Sequence, residues 1–297
     1  MKTFISRVWA CLLIALAAVV ATACTDSMAS GTKDMAQAPQ TFCVALDLSD
    51  RIADDQQVAN DIAAVTRVFE TFRQRVKDDR YIRNRDKFIV TVIPQTSTDK
   101  EVGRLAATLS IDMEAIPTRQ KMTSFKALRN KLPGTLSDIY RMARKPSPAD
   151  YSGANIWKFL NDILPERLKD GSGTFKLVML SDCYIELDNA RETFSRGGQT
   201  NHMNREVMAK LREVDRWKSS DCDILMLPER LCRQDLSRLD VVLVRLTPKN
   251  PYPFENSLLE KIWGNFLDRM KVGGYQIIPY GENDTQLICY ALEDALG

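Results

Sequence analysis

The chain has 297 residues, of which 44% are hydrophobic and 27% charged, enough for one large α/β domain or two small ones around a sizeable core. That composition excludes wholesale disorder. Basic and acidic residues nearly cancel, 41 against 39, so the chain as a whole carries no electrostatic footprint for nucleic acid.

At the N-terminus, Lys2 and Arg7 precede an apolar run from Val8 to Val20 that leads into 21-ATAC-24. A positive start, a short apolar stretch and small residues at a cut form the layout of a secretory signal. The run is too short for a comfortable membrane span. Ala21-Thr22-Ala23 fits a signal-peptidase cut, and Cys24 after it makes the stretch resemble a bacterial lipobox, with Ala21 where Leu is preferred. Residues 1–23 therefore read as a signal peptide and Cys24 as the lipidated residue. Plain secretion and an uncleaved membrane anchor are the alternatives. Residues 24–40 are small and polar, the composition of a flexible tether. Loss of Lys2 and Arg7 leaves the two signs equal at 39. The expected location is the cell envelope on the exported side, with membrane association through the acyl anchor only.

Six short β-rich runs follow: Thr41–Leu46, Lys87–Ile93, a weaker Ala107–Met113, Phe175–Leu180, Leu239–Leu246 and Tyr275–Pro279. Near-continuous apolar runs of this length suit strands covered on both faces. Helical spacing lies between them. Val58, Ile62, Val65, Phe69, Phe72 and Val76 form one apolar stripe. A helical region is expected within Ser124–Met142, broken by Pro133-Gly134. Asn155–Leu164 reads as a helix with Pro165 near its end, and Arg205–Trp217 as another. The last, through Leu259, Ile262, Trp263, Phe266 and Met270, stops at Gly273-Gly274. Alternating strands and helices predict an α/β fold, doubly wound, with a mostly parallel six-stranded sheet and helices on both faces. The short step between the second and third strands allows an antiparallel edge. Residues 94–150 are long and polar and are expected to hold insertions, as is 184–204, which reads as a surface loop.

Five cysteines remain after Cys11 and Cys24. Cys43 and Cys183 lie in apolar runs and read as small buried hydrophobes. Cys222 and Cys232 are close enough in sequence to pair across a loop. With no CxxC pair and a single histidine, His202, a structural zinc site is not expected.

In parallel sheets of this kind, ligands sit at the carboxyl ends of strands. Two apolar strands end in acids, 45-ALDLSD-50 and 178-VMLSDCY-184, and a long helix follows the first. These residues resemble the von Willebrand factor A (vWA) family, in which an Asp-x-Ser-x-Ser motif ends the first strand. With a loop Thr and a later Asp, that motif holds a divalent cation. The resemblance covers about residues 41–281. It implies that Asp47, Ser49 and Asp182 are ligands of Mg²⁺ or Mn²⁺, with Asp50 close behind them. Two positions depart from the pattern. Arg51 replaces the second Ser, and in 152-SGANIW-157 Ala154 stands where the Thr belongs, leaving Ser152 or Asp150 as substitute oxygens. Mg²⁺ requires near-octahedral oxygen ligation. A guanidinium can instead pair with a carboxylate and take the cation's place. Both readings stand at this point: a working cation site, or a vestigial one held by Arg51.

By resemblance, such domains bind proteins at the top of the sheet. The expected function is a non-enzymatic protein-interaction module on a lipid-anchored protein, its surface formed by residues 47–52, 150–155 and 182–204. A metal-independent accessory lipoprotein is the alternative. An enzyme is not expected. Asp47 ends a strand as the nucleophile of haloacid dehalogenase-like phosphatases does, but Ser49 occupies the place of their second Asp. No Walker-type loop or Ser-His-Asp set is readable. Trp157, Trp217 and Trp263 read as core packing, and the charged run 72–87 as a solvated helix end.

Overall fold

In the computed structural model, residues 38–96, 99–169, 173–187, 191–212, 222–246, 249, 254–279 and 285–297 are described. Residues 1–23 (expected to be a signal peptide), Cys24, most of the expected tether and Trp217 lie outside them. The strands are β1 (Gln40–Leu46), β2 (Lys87–Val92), β3 (Ile111–Asp112), β4 (Thr174–Leu180), β5 (Ser195–Arg196), β6 (Gln199–Thr200), β7 (Leu239–Leu246) and β8 (Gly274–Pro279). Six of them form one sheet in the order β3-β2-β1-β4-β7-β8, parallel except for the antiparallel edge pair β2–β3. β5 and β6 make a separate hairpin.

Strand β1 shows why the central strands are apolar throughout. Phe42, Val44 and Leu46 join one hydrophobic cluster, while Cys43 and Ala45 join the other. Successive side chains point to opposite faces, and both faces are covered. On the first face lie α1 (Asp55–Asp78), α2 (Lys100–Ala107), α3 (Thr118–Ala143) and α8 (Thr285–Leu296). On the second lie α4, α5 (Arg205–Arg212) and α7 (Glu255–Met270), with the short α6 (Glu229–Cys232) beside α4. Helix α4 opens as Ile156–Lys158, passes through a π-helical stretch Phe159–Ile163 and closes as Leu164–Lys169.

Apolar periodicity explains the helices. In α1 the predicted stripe is buried at Val65, Phe69, Phe72 and Val76, and Asp54 caps its start by accepting from Gln56 N at 2.9 Å. Phe69 and Phe72 pack with Phe88 and Phe125, at centroid distances of 5.2 to 5.9 Å, tying α1 to β2 and α3.

Several expectations need correction. The third strand is only Ile111–Asp112, because Ala107 ends α2. Residues 94–150 carry α2, β3 and α3. Helix α3 runs unbroken through Pro133, and α4 continues past Pro165 to Lys169. Helix α7 stops before Gly273, at Lys271, whose φ of 58° is left-handed. Loop 184–204 buries Tyr184, Ile185, Thr200, Asn201 and Met203 and contains the hairpin. Cys222 and Cys232 are free thiols and do not pair, whereas Cys43 and Cys183 are fully buried, as expected. Trp263 is core, and Trp157 is half-buried with its indole donating to Met226 O. No helix of the described residues is long and apolar enough to cross a membrane.

Candidate functional site

The parallel register sets Leu46 beside Leu180, so β1 and β4 end side by side in the middle of the sheet. Asp47 and Asp182 follow those ends. Asp47 is completely buried. Its Oδ1 accepts from Ser49 N at 2.9 Å and its Oδ2 from the Ser181 hydroxyl at 2.6 Å, so both oxygens are engaged. The turn carrying Asp182 is shaped by Cys183, whose φ of 64° is left-handed. Trp263 Nε1 donates to the Cys183 carbonyl at 2.9 Å and locks that turn. Asp182 Oδ1 accepts from Tyr184 N at 3.2 Å.

Arg51 points inward. It sits in a short 3-10 turn, Asp50–Ala53, and its side chain is almost fully buried. Its guanidinium forms a fork on Asp61 of α1, with distances of 2.7 and 2.8 Å, and donates to the Asp47 carbonyl at 3.1 Å. Asp61 also accepts from Gln57 and from the Tyr140 hydroxyl of α3, at 2.8 and 2.9 Å. The paired carboxylate holds the Arg51 pKa above its ordinary value, against the opposing effect of burial.

A second cation, not foreseen from the sequence, closes the upper side. The Lys249 ammonium lies 2.7 Å from Glu186, 2.9 Å from Asp50 and 3.3 Å from Asp182 Oδ2. It also stands 5.6 Å from the centre of the Tyr184 ring. Its carboxylate partners hold its pKa above the ordinary lysine value even though burial opposes them. Burial pushes the Asp182 carboxyl up to about 7; Lys249 pulls it down and Asp47 adds to the rise. Ser49 Oγ is buried without a hydrogen-bond partner among the described residues.

The remaining predicted residues divide. Asp50 joins the Lys249 cluster. Asp150 is exposed and serves a capping box with Ser147; no hydrogen bond or ion pair among the described residues joins it to Asp47 or Asp182. The Ser152 carbonyl accepts from Gln95 at 3.3 Å. Ala154 is buried in the core on the α4 side of the sheet. Next to it Gly153 lies against loop 182–187: a Cβ there would meet the Glu186 carbonyl oxygen at 2.7 Å. Asn155 caps α4 and donates to Glu192 at 2.9 Å. Gln95, Gly153, Asn155, Lys158, Glu186 and Glu192 line a cleft of about 170 Å³ at this edge. Phe194 packs edge-on against Trp157 at 5.2 Å and remains 43% exposed. His202 is half-buried and its ring bonds the Thr200 hydroxyl at 2.7 Å. Behind the loop, Glu255 is fully buried between Arg212, at 2.6 and 2.8 Å, and the Tyr184 hydroxyl. That trio holds the ring over which Lys249 rests. Among the described residues, no group of three or more His, Cys, Asp or Glu side chains is arranged to hold a metal ion.

A scan against protein-family models and a search of curated proteins give no match. Among solved structures, the PilB minor pilin from Streptococcus sanguinis aligns with 88% of this chain at 9% identity and a TM-score of 0.46. The aligned part spans 61% of the pilin's own length.

Proposed function

We propose that the protein is an exported, lipid-anchored interaction module with a vWA-like domain that engages a protein partner at the carboxyl edge of its sheet, without a metal ion and without turnover. The strand order, with an antiparallel edge strand and Asp47 and Asp182 closing the two central strands, supports the vWA-like reading. The observation that carries the metal-free form is Lys249. Its ammonium sits among Asp50, Asp182 and Glu186, where the family's cation would draw on Asp182. A divalent ion added there would meet that ammonium at contact distance and the Arg51 guanidinium just below it. The residues present therefore do not fit Mg²⁺ or Mn²⁺.

The non-enzymatic reading rests on Asp47. A nucleophile needs a free, accessible oxygen, whereas this carboxylate is fully buried with both oxygens bonded. A partner would find the partly exposed Phe194, two residues along the chain from Glu192, which lines the cleft together with Glu186. An aromatic anchor within a polar rim is the usual composition of an energetic centre in an interface.

A photo-crosslinker placed at Glu192 or Phe194 tests this, with Lys271 at the opposite edge as control. Capture of the same protein from the upper positions alone, undiminished by EDTA, is expected. Capture that requires a divalent ion, or that is equal from both edges, would overturn the reading.

A further inference from the structure

The two charge signs balance over the chain but not over its surface. Between Glu114 and Asp138 the sequence holds five basic residues and no acid. This stretch is mostly α3, and the helix sorts it. Phe125, Leu128, Leu132 and Leu136 face the core, while Arg119, Met122, Lys126 and Arg129 recur at spacings of three and four along one outer side. Arg119, Lys126 and Arg129 are exposed and form no ion pair among the described residues. Met122 is 49% exposed between them.

The turn after α1 extends this face. Arg80 and Tyr81 both adopt left-handed φ, 55° and 58°, and Ile82 emerges 61% exposed. Lys121, beside Met122, donates to the Ile82 and Asn84 carbonyls at 3.1 and 2.8 Å, so the turn is bound to the start of α3. Residues on either side of that turn, Arg75 of α1 and Asp86 before β2, hold the chain's entry to the domain. Asp86 accepts from Gln40 N at 2.7 Å, and Arg75 bonds both Asp86 and the Ala38 carbonyl. Glu114, near this face, is drawn toward Arg85 at 3.7 Å, and Asp78 is exposed on the turn.

We infer that this face, formed by Arg80, Ile82, Arg119, Met122, Lys126 and Arg129, lies against the anionic lipid surface in which Cys24 is anchored. The inference rests on the lipid-anchor reading for its geometry. The chain between Cys24 and Ala38 reaches at most about 50 Å even when fully extended, which keeps the domain close enough to the bilayer for a basic face to meet it. Basic residues within a Debye length of an anionic leaflet each add attraction, and an exposed Ile and Met supply apolar contacts at the headgroup boundary. The upper edge, with its cleft and Phe194, then faces away from the membrane.

The test uses residues 24–297 with Cys24→Ser, so that no acyl chain contributes. Sedimentation with phosphatidylglycerol vesicles should pull the protein down, and phosphatidylcholine vesicles should not. Arg119→Glu with Lys126→Glu and Arg129→Glu should weaken that binding by roughly a hundredfold, while circular dichroism stays unchanged. Ile82→Ser should weaken it by a smaller factor. Equal binding to both vesicle types, or by the triple variant, would overturn the proposal, as would binding to duplex DNA with none to vesicles. Mass spectrometry of Cys24 in the exported chain decides the anchor separately. A lipidated Cys24 with no vesicle binding by the unlipidated chain would sink the surface and leave the anchor standing.

Discussion

The Lys249 ammonium and the Asp182 carboxylate lie 3.3 Å apart, and this contact joins the end of β4 to a residue beyond the end of β7. Asp50 and Glu186 converge on the same ammonium. One ammonium therefore faces three acidic side chains gathered at the sheet's edge. Lys249→Met should leave them facing one another around a buried Asp182, at a cost of about 1–3 kcal/mol after allowance for the partial exposure of Lys249. Urea unfolding measures that loss. Thermal unfolding with EDTA, then with Mg²⁺ or Mn²⁺, extends the test: the wild-type melting temperature should not move, while Lys249→Met should gain from the added ion. A wild-type rise that disappears in Asp182→Ala would restore the cation site.

Arg51 serves the structure below this cluster. Its fork on Asp61 is almost entirely buried, and Tyr140 and Gln57 complete the Asp61 shell. Arg51→Ala should cost about 3–5 kcal/mol, because the buried Asp61 would be left without its guanidinium partner. Arg51→Lys should recover only part of that loss, since one ammonium cannot reproduce the two-point contact. Arg51→Ser supplies the residue of the vWA motif, yet should destabilise the fold without creating metal-dependent stability. Denaturant midpoints of the three variants, with and without Mg²⁺, check the point. Wild-type stability in Arg51→Ser would mean that the pair contributes nothing net.

Burial holds the Asp182 carboxyl at about 7, above its ordinary 3.8. The folded protein therefore keeps a proton that the unfolded chain releases between those two values. The stability this group contributes is complete below the lower value and is lost as pH rises through the higher one. Asp182→Asn removes the titration, so the variant should gain on wild type as pH rises from about 4 to about 7, by at most about 4 kcal/mol. Melting temperatures across that range provide the measurement. If the variant instead loses ground as pH rises, Asp182 is ionised and its pair with Lys249 is net stabilising.

The legible parts of this site are those whose cause is local. An apolar run that stops in acids marks a strand end, so Asp47 and Asp182 were readable, and the parallel register brings those ends together. Lys249 was not readable. It contacts residues 63 and 199 positions away, and nothing in its own neighbourhood distinguishes it from a solvated lysine. Asp61 was equally hidden, because an acid near the start of a long amphipathic helix reads as surface until the Arg51 turn is placed over it. Helix α8 did leave a signal, in Ile288, Leu292 and Leu296 at intervals of four, all buried against the α1 side of the sheet.

Proline in α3 shows tertiary packing overriding a local rule. Pro133 donates no hydrogen bond and crowds the preceding turn, which predicts a break. The helix nonetheless continues, because Leu132, Leu136 and Ile139 on either side of the proline are buried in one cluster and cannot be released cheaply. Ser137 donates its hydroxyl to the Pro133 carbonyl at 3.0 Å, an ordinary bond to the carbonyl four residues back that does not replace the bond the proline removes. The proline is exposed and carries the cost without packing in return. Pro133→Ala should therefore raise stability by about 1–3 kcal/mol. Gly134→Ala should add up to about 1 kcal/mol, since a Cβ at Gly134 meets nothing within 4 Å. Urea unfolding of the single and double variants measures both terms. A loss of stability in Pro133→Ala would mean that the bend it imposes is required to seat Leu136 and Ile139 in the core.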